Sequence, residues 1–296
     1  MEYIDLHVHS TASDGSMTPS ELVAYAIQKN LFAFALTDHD TVDGINEAIL
    51  AVNQANEKRT NNCTKSNDDS ANISPLIFIP GIELSAEYNG QDIHILGLNI
   101  DYKNKDFLEK VHYYRNLREQ RNVKMVAKFQ ELGFDITPEL IRERFGDDAV
   151  ITRAHYAILL KESGYVSDND EAFCKYLHPG CPCYIPRTRI GVCDAVRLIL
   201  LAGGKPILAH PLLYKLSDGE LDELVRLLKA SGLLGIEAIY SKNKGDDETR
   251  MRALARKYDL FITGGSDFHG TAKPGLELGT GYGDLRVPKE ILENII

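Results

Sequence analysis

Asp5-Leu6-His7-Val8-His9 near the start of the chain and Asp267-Phe268-His269 near its end set imidazoles and carboxylates directly after apolar runs that read as β-strands. Successive side chains of a strand face opposite ways, so His7 and His9 share one face while Val8 turns to the other. Two imidazoles placed in this way form a bidentate claw for a cation, and neutral imidazole combined with carboxylate suits Zn, Mn and Fe. The theme recurs along the chain. Asp14 lies in the loop after the first strand, Asp38-His39-Asp40 follow the second, Glu83 ends the third, His94 sits within the fourth, and His210 ends the run Pro206 to Ala209. One such histidine is usually a hydrogen-bonded core or loop residue. Six of nine histidines at these positions need a common cause, because so many imidazoles and carboxylates in one cavity would suffer large desolvation and repulsion costs that divalent cations remove.

The elements that must position these residues follow from apolar periodicity. Tyr3 to His9 reads as a buried strand, and Thr18-Pro19-Ser20-Glu21 then supplies an N-cap, a proline at the first helical position and a capping-box glutamate before Leu22 to Asn30. Phe32 to Thr37 is a second strand, followed by a helix capped by Asp43 and running to about Arg59. Thr60 to Ser74 carries too little apolar material to pack and is expected as a mobile surface loop without chemistry. Leu76 to Ser85 and Asp92 to Asn99 read as strands of a hairpin-like excursion at the edge of the main sheet. From Asn104 the texture turns helical, with segments to Gly133, from Thr137 to Gly146, Thr152 to Gly164 and Asn169 to Leu177, closed by Pro179 to Pro186. Strand and helix then alternate again: Cys193 to Ala202, Pro206 to Ala209, Asp218 to Ser231, Leu234 to Ile239, Asp246 to Tyr258 and Leu260 to Gly264. Alternation implies a parallel sheet, and this number of units favours a closed α/β barrel whose working residues lie at the C-terminal ends of its strands. The expected organisation is a barrel of residues 1–101 and 187–296 interrupted by a helical cap of residues 102–186.

Composition bounds the possibilities. The chain has 296 residues, 44% of them hydrophobic, and a formal net charge of -10. No apolar run approaches the roughly 18 to 20 residues of a membrane span. The acidity opposes a long nucleic-acid track, although a small charged pocket can still select an anion. The first residues lack a signal-peptide pattern, and five cysteines without paired spacing suggest reduced thiols in a cytoplasmic protein with no membrane association and no obligate protein partner.

Asp5-Leu6-His7-Val8-His9-Ser10, Thr37-Asp38-His39-Asp40, Pro80-Gly81-Ile82-Glu83, Ala209-His210-Pro211 and Gly265-Ser266-Asp267-Phe268-His269 resemble the motifs of the PHP (polymerase and histidinol phosphatase) phosphoesterases, in the same order and over nearly the whole chain. The resemblance implies a distorted (β/α)7 TIM-like barrel holding two or three divalent metal ions, Mn, Fe or Zn. Carried onto this chain, it puts His7, His9, Glu83 and Asp267 around one metal. Glu83 bridges to a second held by His94 and His210, and Asp14, His39 and His269 hold a third. The implied reaction is hydrolysis of a phosphate ester by hydroxide held between the metals, with Glu83, His210 and His269 as catalytic residues. Asp38 and Asp40 are expected behind the ligands, orienting His39 and its neighbours.

The cap narrows the reading. The helical face Phe107, Val111, Tyr114, Arg118, Arg121, Met125, Phe129 and Leu132 is apolar except for its two arginines. They either snorkel or pair with acidic groups, or a guanidinium meets a phosphate; Arg118 is the residue expected to do the latter. Thr152-Arg153-Ala154-His155 opens the next long helix, where Arg153, His155 and the free N–H groups could receive an anion. These segments are similar to the branch with 3′,5′-nucleoside bisphosphate phosphatases, in which cap Arg and His residues hold the phosphate that is not cut; Ala154 departs from the proline usual there. The expected substrate is a small nucleotide bearing two phosphates. Alternatives are a histidinol-phosphate-type phosphatase, a 5′ exonuclease taking short oligonucleotide ends, a cyclic phosphodiesterase and a non-catalytic metal or phosphate sensor. His178, Cys181 and Cys183 lack the second ligand pair of a zinc site. Gly264-Gly265 is read as a pair that lets the backbone turn tightly before Ser266.

Overall fold

The computed structural model describes residues 2–63, 74–186 and 188–296. Its strands are β1 (Tyr3–Val8), β2 (Ala33–Leu36), β3 (Ile77–Tyr88), β4 (Gln91–Leu98), β5 (Ile190–Gly191), β6 (Lys205–Leu208), β7 (Gly235–Tyr240), β8 (Phe261–Gly265) and β9 (Val287–Pro288). They form one sheet in the order β8-β7-β6-β4-β3-β2-β1-β9, with β5 beside β3. The sheet curls into a nearly closed barrel. Val8 bridges Phe268, the His9 N–H donates to the Phe268 carbonyl, and the Asp267 N–H donates to the His7 carbonyl, both at 2.9 Å. The two histidine motifs are therefore brought together by the closure itself.

Around the barrel lie α1 (Pro19–Gln28), α2 (Ile45–Cys63), α7 (Val192–Leu201), α8 (Asp218–Ala230) and α9 (Asp247–Lys257). The predicted capping box of α1 forms, with the Thr18 hydroxyl accepting from the Glu21 N–H and the Glu21 carboxylate accepting from the Thr18 N–H. The second helix extends to Cys63, past the expected start of a loop at Thr60, and the rest of that loop up to residue 73 lies outside the described residues. All four residues of β2 are buried. Ala33 and Ala35 pack with Ile4, Leu6, Ile79 and Ile207, whereas Phe34 and Leu36 pack with Leu22 and Val23 of α1, the alternation expected of a strand covered on both faces.

Two expectations are corrected here. β3 and β4 do form a hairpin, but it stands in the middle of the strand order rather than at an edge. The sheet is mixed rather than parallel, because β4 runs antiparallel to both β3 and β6. Strand-helix alternation could not reveal a reversed strand whose two neighbours are otherwise parallel.

The reversed strand leads into a helical segment. α3 (Lys105–Glu131) is followed by α4 (Pro138–Phe145), α5 (Arg153–Glu162) and α6 (Asn169–Ala172), which continues as a π-helical turn at Phe173–Leu177. On α3, Phe107 and Val111 belong to the apolar cluster of β3, β4, α7 and α8. Met125, Val126 and Phe129 belong to a separate cluster with Ile136, Ile141, Tyr156, Leu160 and Leu177. One helix thus enters two cores, with Arg118 and Arg121 buried between them. Leu132, expected on the apolar face, is 48% exposed because the helix has already reached its C-cap there.

Candidate metal centre and its arginine-lined cleft

His7 and His9 do project together, their ring centroids 5.2 Å apart, and both are fully buried. Four overlapping groups of possible ligand atoms converge: His7, His9 and Asp267; His7, Glu83 and His210; His39, Glu83 and His94; and His9, Asp14, His39 and His269. Glu83 is the hub. One oxygen lies 3.4 Å from His7 Nε2, 3.2 Å from His9 Nε2 and 3.0 Å from His39 Nδ1, and the other lies 2.9 Å from His94 Nδ1 and 3.0 Å from His210 Nε2. Asp267 Oδ1 closes the first group at 3.6 Å from His7 and 3.5 Å from His9. Asp14 stands 3.3 Å from His269 Nε2 and 3.8 Å from His39 Nε2.

The donor set fits divalent cations. His7 Nε2, His9 Nε2, His39 Nδ1, Asp14 Oδ1 and Glu83 Oε2 are buried without a hydrogen-bond partner, and such groups are costly unless something else satisfies them. Charge sharing within the cluster is strong. Burial alone would push the Glu83 carboxyl up, yet His94, His39 and His7 hold it well below the usual carboxylate range. Burial likewise opposes a charged His94, but Glu83 and Asp92 draw it up to about 10. Three residues of the centre, Asp40, His210 and Asp267, adopt positive φ of 53°, 25° and 59°, a left-handed region uncommon outside glycine.

Several supporting residues were given no role by the sequence. Glu237 of β7 accepts from His7 Nδ1 at 3.0 Å and from the His210 N–H at 2.7 Å. Asp5 accepts from the N–H groups of Ser266 and Gly279 at 2.9 and 2.8 Å, fixing the loop that carries Asp267. Tyr240 and Lys273 donate to Asp267 Oδ2 at 2.8 and 2.6 Å. Carboxylates in mid-strand among apolar residues were the available clue to Asp5 and Glu237, since an unpaired charge is not buried there without a partner. Gly265 serves close approach rather than a turn, because a Cβ there would lie 2.4 Å from that of His7.

Asp38 stands behind a neighbouring ligand as expected, whereas Asp40 is turned to an arginine. Asp38 accepts from the Ser10 N–H and hydroxyl, both at 2.7 Å, and from Ser13, so it pins the loop leading to Asp14. Asp40 accepts from the Ser85 N–H at 2.8 Å and pairs with Arg118. Arg118 is thus anchored by a carboxylate and by the Ser85 hydroxyl at 3.0 Å, the pairing alternative weighed for it, while still lining the cleft over the centre.

That cleft is lined by Asp14, His39, Asp92 and His94 together with Arg118, Arg121, Thr152, Arg153, Phe173 and Arg189. Arg189 was not singled out in the sequence, where it is one arginine in a proline-bounded stretch. His155 does not line this cleft. Its Nδ1 accepts the Thr152 N–H at 2.9 Å, closing the capping box of α5, and it borders a neighbouring cavity with Phe145 and Lys161. Among the described residues, His178, Cys181 and Cys183 form no metal-ligating group.

The barrel and its histidine-carboxylate centre are those of a metal-dependent phosphoesterase, a hydrolase of phosphoric esters. A model of the PHP domain matches residues 5–174, and the chain belongs to that family. It is 33% identical to a 5′-3′ exoribonuclease of Haemophilus influenzae over 90% of this chain and 89% of that protein. It is 30% identical to a 3′,5′-nucleoside bisphosphate phosphatase of Chromobacterium violaceum, over 94% and 91%. A crystal structure from Bifidobacterium adolescentis assigned as a metal-dependent phosphoesterase superposes with a TM-score of 0.82 at 28% identity, over 100% of this chain and 97% of that one. Among the described residues no helix is long and apolar enough to cross a membrane.

Proposed function

We propose that the protein removes one phosphate from a small nucleotide that carries a second, with a nucleoside 3′,5′-bisphosphate as the substrate to test first. The observation that carries this reading is the set of four guanidinium groups, from Arg118, Arg121, Arg153 and Arg189, facing the histidine-carboxylate centre across one cleft in a chain of net charge -10. A cation cluster confined to one pocket of an acidic protein selects a compact polyanion.

In this reading residues 1–101 and 187–296 carry the centre and residues 102–186 form the cap. His7, His9, Glu83 and Asp267 hold one divalent ion, Glu83, His94 and His210 a second, and Asp14, His39 and His269 a third. Bound there, such ions supply an acidified water and neutralise phosphoryl oxygens. The chain's own side chains set the geometry. Glu83 fixes the spacing of the ligand groups by dividing its two oxygens between them. His269 keeps its Nδ1 proton on the Asp267 carbonyl, 2.8 Å away, which leaves Nε2 facing Asp14. His210 and His269 border the reacting phosphate and assist the leaving oxygen. Arg118 and Arg153 grip the phosphate that stays.

The test is a panel assay of the metal-loaded protein. Adenosine 3′,5′-bisphosphate should be cut with a kcat/KM at least about 100-fold above an aryl phosphate, the worth of one or two charge-assisted contacts. Arg153→Ala should erase most of that preference. Faster cleavage of a short 5′-phosphorylated oligonucleotide would favour the exonuclease reading, and no phosphate release from any ester would leave a sensor.

A further inference from the structure

Arg153 at the start of α5 and Arg189 just before β5 reach the same atom, Asp92 Oδ2 of β4, at 3.2 and 3.0 Å. One guanidinium comes from the cap and the other from the segment returning to the barrel. The Arg189 side chain is 9% exposed, and its Nε is buried without a partner. Among the described residues Arg153 makes one other bond, to the Leu177 carbonyl at 3.4 Å, and its Cζ lies 5.9 Å from the ring centroids of both Phe173 and Tyr184. Each guanidinium carries five donors. Two guanidiniums sharing one carboxylate oxygen therefore keep unspent donors and a net positive charge beside the cleft.

We propose that Arg189 is a specificity-determining residue, the second arm of a fork for the uncleaved phosphate, and that Asp92 is the positioning residue that sets the two arms side by side. This rests on the proposed function for the identity of the ligand. A phosphate offers three oxygens where Asp92 spends one, so two planar guanidiniums can each make paired bonds to it. The other Asp92 oxygen stands 3.7 Å from His94 Nε2. The fork is thereby held at a fixed distance from the centre, which selects for the separation between the two phosphates of the substrate.

Binding of adenosine 3′,5′-bisphosphate to the 296-residue chain stripped of cations, followed by calorimetry, reads the fork without turnover. Arg189→Ala should weaken binding by about 10- to 100-fold, and Arg189→Lys should recover little of it, because an ammonium lacks the planar pair of donors. Asp92→Asn should weaken binding as well, and the double variant should be no more than about threefold worse than Arg189→Ala alone, since both changes disable one device. In the metal-loaded protein, Arg189→Ala should raise KM for the bisphosphate at least about tenfold more than it raises KM for an aryl phosphate. Unchanged affinity in Arg189→Ala, full rescue by lysine, additive effects of the two changes, or equal losses on both substrates would each overturn the fork. A panel assay that finds no bisphosphate preference while calorimetry shows the predicted losses would count against the proposed substrate and not against the fork.

Discussion

His7 Nδ1 lies 3.0 Å from one carboxylate oxygen of Glu237, and the other oxygen of that carboxylate accepts the His210 backbone N–H at 2.7 Å. One fully enclosed side chain thus orients histidines that arrive on β1 and at the end of β6. Holding a proton on Nδ1 leaves Nε2 as the atom that faces the centre and raises its basicity. Glu237→Gln should lower metal affinity by about 10- to 100-fold with the fold intact. Competition against a chelator measures this, and an unchanged affinity would reject the orienting role.

Glu83 divides its oxygens between the groups on either side of it. Glu83→Ala should remove at least one bound ion and cut turnover by at least about a thousandfold, the kinetic equivalent of losing several kcal/mol of charge stabilisation. Elemental analysis of the purified variant is the direct check. Full stoichiometry in an inactive variant would leave Glu83 a role in chemistry but none in bridging.

Burial lowers the His155 value to about 4, with the nearby Arg118 adding to the effect against Asp14. In the unfolded chain the group titrates near 6.5. Between these values the unfolded state binds a proton that the folded state refuses, so stability is fully present above about pH 6.5 and declines as pH falls toward 4, by about 3 kcal/mol for this one group. His155→Gln keeps a side chain able to cap Thr152 and has no such titration. The stability gap between the native sequence and this variant, from urea unfolding of cation-free protein, should therefore narrow by that amount on acidification. A gap independent of pH would remove His155 as its source.

Phe129 is fully buried and stacks on Tyr156 with centroids 5.3 Å apart, inside the cluster confined to the cap. Phe129→Ala should cost about 3–5 kcal/mol. Because the centre belongs to a different cluster, metal content should survive while bisphosphate preference is lost. Hydrogen exchange that accelerates in residues 102–186 and stays unchanged in the barrel would mark the cap as its own folding unit, whereas uniform acceleration would deny it.

How far the sequence could be read depends on the kind of signal each residue leaves. His7 and His9 were legible because strand periodicity fixes their common face, and Glu83, His94 and Asp267 because each stands within or just after an apolar run. The direction of β4 was not legible, since a hairpin reads the same at an edge or in mid-sheet. Asp5 and Glu237 act through groups brought close only by barrel closure, across 261 and 230 positions of chain in their contacts with Ser266 and His7. The partner of Arg118 was equally hidden. Its helix showed that a charge is buried, while Asp40 as the recipient follows from tertiary packing alone. His155 shows the opposite failure, where a residue near an anion-like motif is consumed by its own helix cap.

The 27 residues of α3 span about 40 Å at 1.5 Å each and are shared between the core under the barrel and the core of the cap. A chimera that borrows another protein's cap consequently has no seam at a loop on this side. The splice must fall inside the helix and in phase, because a slip of one residue turns everything beyond it by about 100° and swings Arg118 off Asp40. Cap exchange should succeed only between relatives that keep the helical register between Val111 and Met125, which makes inheritance of the cap as a loose module unavailable to this architecture.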